Sequence, residues 1–178
     1  ALAAARARSG WHHLSIDPDQ RAVRLAIPGM QLDLGGIAKG YAADEALAVL
    51  RQHGVHRALV EFGGDIVAGA PPPGRSAWQI RIDDPSGAPP VVHLTDAAIS
   101  TSGDVVQFVE IDGVRYSHVI DPRTGVARQD RVAATVIAPS GMLADALATL
   151  AGVLGPDDGA RFLDAHFPAV THYIRRIE

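Results

Sequence analysis

Four stretches of the chain crowd polar side chains among glycines, at places where strands should end or helices begin. In Leu143-Ala144-Asp145-Ala146-Leu147-Ala148-Thr149 an acid and a hydroxyl stand four residues apart, so on a helix both oxygens leave one face. Leu143, Leu147 and Leu150 beside them direct that carboxylate inward. A carboxylate and a hydroxyl, completed by a backbone carbonyl, water and phosphate oxygens, suit Mg²⁺. A Thr bonding back to its own helix beside a solvent-facing Asp would give the same spacing. In Asp33-Leu34-Gly35-Gly36-Ile37-Ala38-Lys39-Gly40 the glycines let the backbone approach a ligand, and a helix N-terminus offers N–H groups to an anion. Lys39 is the sole lysine among sixteen basic residues, which points to a need for a compact ammonium there. An acidic cap, a tight turn and a solvated lysine would read the same way. In Tyr116-Ser117-His118-Val119-Ile120-Asp121-Pro122-Arg123-Thr124-Gly125 a histidine precedes a polar turn whose carboxylate and guanidinium suit proton transfer or phosphate binding. The chain has eight histidines and most such residues are structural; the dense polar neighbourhood distinguishes this one. Ser100-Thr101-Ser102-Gly103-Asp104 offers three hydroxyls to a helix cap or a phosphate. Gly63-Gly64-Asp65 is a shorter corner of the same kind, and such corners are more often turns than sites.

The elements that must position these residues follow from periodicity and breakers. Residues 1–10 read as a helix tail ending at Ser9-Gly10, and residues 11–17 and 21–29 as short strands around Asp17-Pro18-Asp19. The Leu34-Gly35-Gly36 corner opens an Ala-rich helix over residues 37–53, with Ile37, Tyr41, Leu47 and Leu50 near one face and Gly54 as its stop. Residues 57–62 form a buried-strand pattern, Pro71-Pro72-Pro73-Gly74 a hard break, and residues 78–82 an alternating strand. The Gly/Pro segment 85–90 leads to a strand at 91–94. Strands over 105–111 and 114–120 flank Asp112-Gly113, a dipeptide suited to a two-residue hairpin turn. Residues 131–138 are a further strand, 141–154 a second Ala/Leu helix stopped by Gly155, 157–166 a short helix and 170–174 a closing strand. Strands outnumber helices without regular strand–helix alternation, so the fold class expected is α+β: a largely antiparallel sheet packed by two main helices, in a single domain over 1–178.

Composition narrows the function classes. A net charge of −4 with no basic block argues against nucleic acid as a partner. The chain contains no cysteine, which excludes disulfides, thiolate metal sites and a cysteine nucleophile. No apolar run approaches the roughly 20 residues of a membrane span.

The order of the motifs is more specific than any one of them. DLGGIAKGYAAD, VEFGGDIVAGAP, AAISTSGDVVQFVEIDGVRYSHVIDPRTG and APSGMLADALATLAGVLG together closely resemble the ApbE-like family, the FAD:protein FMN transferases. The likeness runs from about Trp11 to the C-terminus. It implies a T-fold-like architecture, with Mg²⁺ between the protein and the pyrophosphate of the substrate FAD. Asp145 and Thr149 match carboxylate and hydroxyl ligands of that metal, and Gly36 a position that supplies it with oxygen, here by its carbonyl. Asp33 and Lys39 match positions that contact FAD, Val119 one that lies against the flavin by its backbone, and His118 the catalytic histidine.

The reaction implied is attack by a Ser or Thr hydroxyl of an acceptor protein on the FMN-side phosphorus of FAD, with AMP leaving. His118 would deprotonate or position the hydroxyl, with Asp121 as an orienting partner. Family members normally carry a substantial segment ahead of the matched region, which helps form the FAD pocket and bears a lipoprotein signal. By that resemblance the chain is expected to be the C-terminal part of the family domain and to work outside the cytoplasmic membrane. The competing readings are a non-catalytic flavin-binding or structural remnant, and an Mg²⁺-dependent FAD pyrophosphatase using water in place of the acceptor.

Overall fold

The computed structural model describes residues 2–82, 91–103 and 108–177. The expected Gly/Pro segment 85–90, Asp104, and residues 105–107 of one hairpin strand lie outside them. Along the chain, helix α1 (Leu2–Arg6) is followed by a single 3-10 turn at Trp11–His13, so only the second half of the first expected strand is extended. Strands β1 (Leu14–Asp17) and β2 (Ala22–Leu25) form a hairpin whose turn is tied by Asp17 Oδ1 accepting from Gln20 N–H at 2.9 Å. Helix α2 (Ala38–Gln52) leads to β3 (Leu59–Phe62) and β4 (Asp65–Ala68), then β5 (Trp78–Arg81), β6 (Val91–Leu94) and β7 (Ala97–Gly103). Then come β8 (Phe108–Ile111), β9 (Val114–Ser117), β10 (Ile120–Asp121), β11 (Val126–Ala127) and β12 (Val132–Ala138). Helices α3 (Gly141–Leu154) and α4 (Pro156–His166) precede the last strand, β13 (Thr171–Arg176).

Among the described residues the main sheet has the order β13-β12-β7-β4-β3, antiparallel at every pairing. This is the α+β architecture expected. Strand alternation sends Val67, Ala98, Ala134, Val136 and Ala138 to one face, where Ala43 and Leu47 of α2 and Ala144, Leu147, Ala148 and Ala151 of α3 cover them. Their neighbours Ala68 and Ile99 go to the other face, against Ile82, Val92 and Leu94 of the β5–β6 region. Both faces are therefore dry, which explains why β12 is apolar at nearly every position.

The two main helices meet through glycines. A Cβ added to Gly40 of α2 would lie 2.0 Å from the Gly141 carbonyl oxygen of α3, and one added to Gly141 would lie 2.5 Å from the Gly40 oxygen. Such approach is open only to residues without a side chain. It also decides which face of α2 is inside: Gly40, Ala43 and Leu47 are buried, whereas Tyr41, expected on the inner face, is 52% exposed. Size, not hydrophobicity, sets the seam.

Each helix start is capped by a carboxylate from the other. Asp44 of α2 accepts from the backbone N–H groups of Gly141 (2.7 Å) and Met142 (2.9 Å). Asp145 of α3 accepts through Oδ2 from the N–H of Gly40 at 3.2 Å. Negative charge at a helix N-terminus satisfies otherwise orphaned donors and complements the dipole. Ser140 adds a local cap on α3, accepting from Leu143 N–H. Among the described residues no helix is long and apolar enough to cross a membrane.

Candidate active site

One cleft of about 570 Å³ opens where the start of α2, the middle of α3, the end of β7 and the link after β9 converge. Its lining includes Asp33, Gly36, Lys39, His118, Val119, Asp145 and Thr149, the seven site residues expected from the sequence, although they come from segments more than a hundred residues apart. The antiparallel order of the sheet and the glycine seam between the helices bring them together.

Asp145 is 2% exposed, as its apolar neighbours on α3 suggested. Its Oδ2 caps α2 and its Oδ1 accepts from Lys39 Nζ at 3.0 Å. Thr149 lies one turn further along the same face, and Gly36 packs against it: a Cβ at Gly36 would meet Thr149 Cγ2 at 3.3 Å and Oγ1 at 3.4 Å. Gly36, Thr149 and Asp145 thus line the same cleft, with Gly36 against Thr149. Asp33, exposed at the rim, bends the glycine corner by accepting from Gly35 N–H at 2.7 Å.

The residue that the sequence left among the turns is Asp65. It opens β4 and is 1% exposed, on the same face of the sheet as Val67. Ser100 Oγ donates to its Oδ1 at 2.5 Å, while its Oδ2 has no hydrogen-bond partner and faces Lys39 Nζ at 3.3 Å in an ion pair. The Lys39 ammonium therefore stands between two buried carboxylates. Burial works against its charge, but the acids outweigh burial and hold its pKa above the ordinary lysine value. Burial pushes Asp65 up to about 6, with the charge of Asp145 adding to the rise and Ser100 and Lys39 opposing it. The signal available in the sequence was an acid at the head of an apolar strand, where alternation places it beside Val67 on the helix-covered face.

The hydroxyl cluster is a strand rather than a helix cap. Ser100 is taken by Asp65, Thr101 Oγ1 pairs with Thr135 Oγ1 across β7 and β12 at 2.8 Å, and Ser102 faces the cleft. On the opposite wall the expected strand 114–120 is broken. Asp112 and Gly113 take positive φ in the hairpin turn as anticipated, but β9 ends at Ser117 because its hydroxyl turns back to accept from Val119 N–H at 3.1 Å. His118, exposed at that break, reaches the cleft. The Val119 carbonyl accepts from Arg128 N–H at 3.1 Å, so the polar groups of its backbone already serve the fold.

The Asp121-Pro122-Arg123-Thr124-Gly125 turn closes on itself. Asp121 accepts from the Arg123 backbone N–H at 2.8 Å and from its guanidinium at 2.7–3.1 Å through both oxygens. The Arg123 side chain holds the Asp121 carboxyl down at about 2. Asp121, the acid anticipated as a partner for His118, thus pairs with the Arg123 guanidinium through both oxygens. Arg123 and Arg128 also donate to the Val153 carbonyl near the end of α3, where cations complement the helix dipole.

Residues 1–174 match the family model described as the ApbE family. The chain belongs to the ApbE family. The FAD:protein FMN transferase of Treponema pallidum (strain Nichols) is 44% identical over 161 residues, which is 83% of this chain and 44% of the relative. That of Klebsiella pneumoniae (strain 342) is 38% identical over 164 residues, covering 88% and 47%. Among solved structures, the apo form of the Pseudomonas stutzeri flavinyl transferase ApbE superposes with a TM-score of 0.85 at 38% identity, over 99% of this chain and 55% of the other. The flavin transferase ApbE from Vibrio cholerae gives 0.83 at 35%, over 97% and 55%. The chain spans about half the length of the curated relatives it matches.

Proposed function

We propose that this chain is the catalytic part of a flavin transferase that moves FMN from FAD to a Ser or Thr hydroxyl of an acceptor protein, releasing AMP. The observation that carries this reading is the convergence of Lys39, His118, Asp145, Thr149 and the Gly36 backbone on one cleft. Its relatives' names supply the reaction class, and on this reading the chain is a single domain over 1–178, the C-terminal part of the family domain. On the same reading it acts outside the cytoplasmic membrane.

The residues present fit a divalent cation of the Mg²⁺ kind. Among the described residues no three His, Cys, Asp or Glu side chains cluster, so softer, nitrogen- or sulfur-preferring metals find no ligand set. What the cleft lining offers there is hard oxygen, the Asp145 carboxylate and the Thr149 hydroxyl, and on this reading the Gly36 carbonyl joins them with water and pyrophosphate oxygens. Bound there, Mg²⁺ would supply charge compensation for the pyrophosphate and the leaving AMP.

The chain's own groups do the rest. The cleft orients FAD, with Lys39 adding positive charge beside the phosphates and the Gly35-Gly36 corner allowing close approach. The acceptor oxygen forms a bond to the FMN-side phosphorus as the bond from that phosphorus to the bridging oxygen breaks. The bridging oxygen departs with AMP, and His118 takes the hydroxyl proton. Incubating the protein with FAD, Mg²⁺ and a Ser/Thr acceptor should give a fluorescent flavin-labelled acceptor and equimolar AMP. Asp145→Asn should abolish both products, and retained labelling would sink the cation assignment. AMP without labelled acceptor would mean hydrolysis, and neither product a non-catalytic flavin binder.

A further inference from the structure

We propose that Asp65 is a positioning residue for the cation site: it retains the Lys39 ammonium when Asp145 gives up Oδ1 to a divalent cation. This rests on reading Asp145, Thr149 and Gly36 as that site. The two oxygens of Asp145 are not equivalent. Oδ2 holds the N–H of Gly40 and so fixes the start of α2, whereas Oδ1 holds only a side chain, Lys39 Nζ at 3.0 Å. Oδ1 is therefore the oxygen whose partner can leave without undoing a helix end.

A divalent cation and an ammonium repel each other strongly over a single oxygen. The displaced ammonium needs a second anion within reach, and Asp65 is built to be one. Its Oδ1 is fixed by Ser100 at 2.5 Å, its Oδ2 lacks a hydrogen bond, and it already lies 3.3 Å from Lys39 Nζ. A carboxylate fixed at one oxygen, with the other facing only the ammonium, is a stationary receiver. The Lys39 stem has room to pivot because it runs over Gly63, where a Cβ would come within 3.1 Å of Lys39 Cδ. Lysine suits this exchange and arginine does not. A guanidinium fork would bridge both acids at once, whereas an ammonium is a point charge that changes partner by a small rotation. That gives a physical reason for a single lysine in a chain whose other fifteen basic residues are arginines.

The test is Mn²⁺ affinity of the chain without FAD, read by electron paramagnetic resonance. Asp65→Asn should weaken Mn²⁺ binding about tenfold, in the range seen for residues that support metal ligands. Removing a nearby negative charge weakens cation binding directly, so the same substitution is made in a Lys39→Met background. If Asp65 acts by receiving Lys39, its effect there should be at least about threefold smaller, a coupling that marks one residue acting through another. A smaller difference overturns the proposal. Absence of Mn²⁺ binding by the native chain, or undiminished binding by Asp145→Asn, overturns the cation site itself and is a separate result.

A second measurement needs no variant. With ¹³C-labelled lysine the chain gives one Lys Cε signal, and its relaxation should stay that of a held side chain at saturating Mg²⁺. Release to the mobility of a free lysine overturns the proposal even if Asp65→Asn fails to fold.

Discussion

The two walls of the cleft are held by different means. On the helix wall Lys39, Asp145 and Thr149 are positioned by contacts between distant parts of the chain: the Gly40–Gly141 seam, the exchanged caps of Asp44 and Asp145, and the Ser100–Asp65 bond. On the turn wall Ser117 and Arg128 hold Val119 and Arg123 holds Asp121, neighbours within ten residues or so, while Arg123 and Arg128 tie the turn to the end of α3. Strands β8 and β9 beside it leave Phe108, Val109, Ile111 and Val114 exposed. Fold and function are therefore entangled on the first wall and separable on the second.

The sharpest way to break that contrast is His118→Ala. Loss of a general base should lower transfer by about 10²- to 10⁴-fold. Because His118 is exposed on a local turn, the urea midpoint should move by no more than about 0.5 kcal/mol in stability. A large loss of stability would make the turn wall as structural as the other.

Gly40→Ala tests the opposite wall, with the opposite expectation. Its Cβ would sit on a backbone oxygen that cannot rotate away, so the helices must part, at a cost of about 3 kcal/mol. Gly113→Ala is the control: nothing lies within 4 Å of a Cβ there, and only its φ of +74° is strained, worth about 1 kcal/mol. Equal effects at the two glycines would mean that dihedral strain and not close packing holds the helix wall.

Legibility in the sequence follows the range of the contacts rather than the wall. The turn wall could be read directly: Asp112-Gly113 and the Asp-Pro-Arg-Thr-Gly turn are local chemistry, and both form where their residues stand. On α3 the Asp145–Thr149 face could be read too, because helical spacing is local. Asp65 could not be singled out, since its role depends on β7 lying beside β4 and on a lysine arriving from α2, neither of which a run of residues encodes. The inner face of α2 was misread for a related reason. Hydrophobicity favoured Tyr41, but the seam is decided by what fits against Gly141, which is on another helix. The Asp121–Arg123 pairing could not be read either, because which nearby cation meets a carboxylate is decided by geometry.

The finest test of the comparison uses acid, because one carboxylate near each wall responds to pH with opposite sign. Asp65 is pushed up to about 6 from an ordinary 3.8, so between those values the folded protein binds the proton and the unfolded chain does not. Stability from this group therefore rises as the pH falls through that window, and its charged form is a penalty present in full above about pH 6. Asp121 is held at about 2, so the unfolded chain binds its proton first. Its contribution is present above about pH 4 and is lost as the pH falls toward 2. Urea midpoints of the native chain, Asp65→Asn and Asp121→Asn from pH 7 to 2 separate the two. The native chain should gain on Asp65→Asn between pH 6 and 4. Its advantage over Asp121→Asn, which comes from the charge paired with the Arg123 guanidinium, should shrink between pH 4 and 2. If the native and Asp65→Asn curves run parallel from pH 6 to 4, the ammonium and Ser100 neutralise Asp65 fully. The helix wall would then carry no electrostatic strain in its resting state.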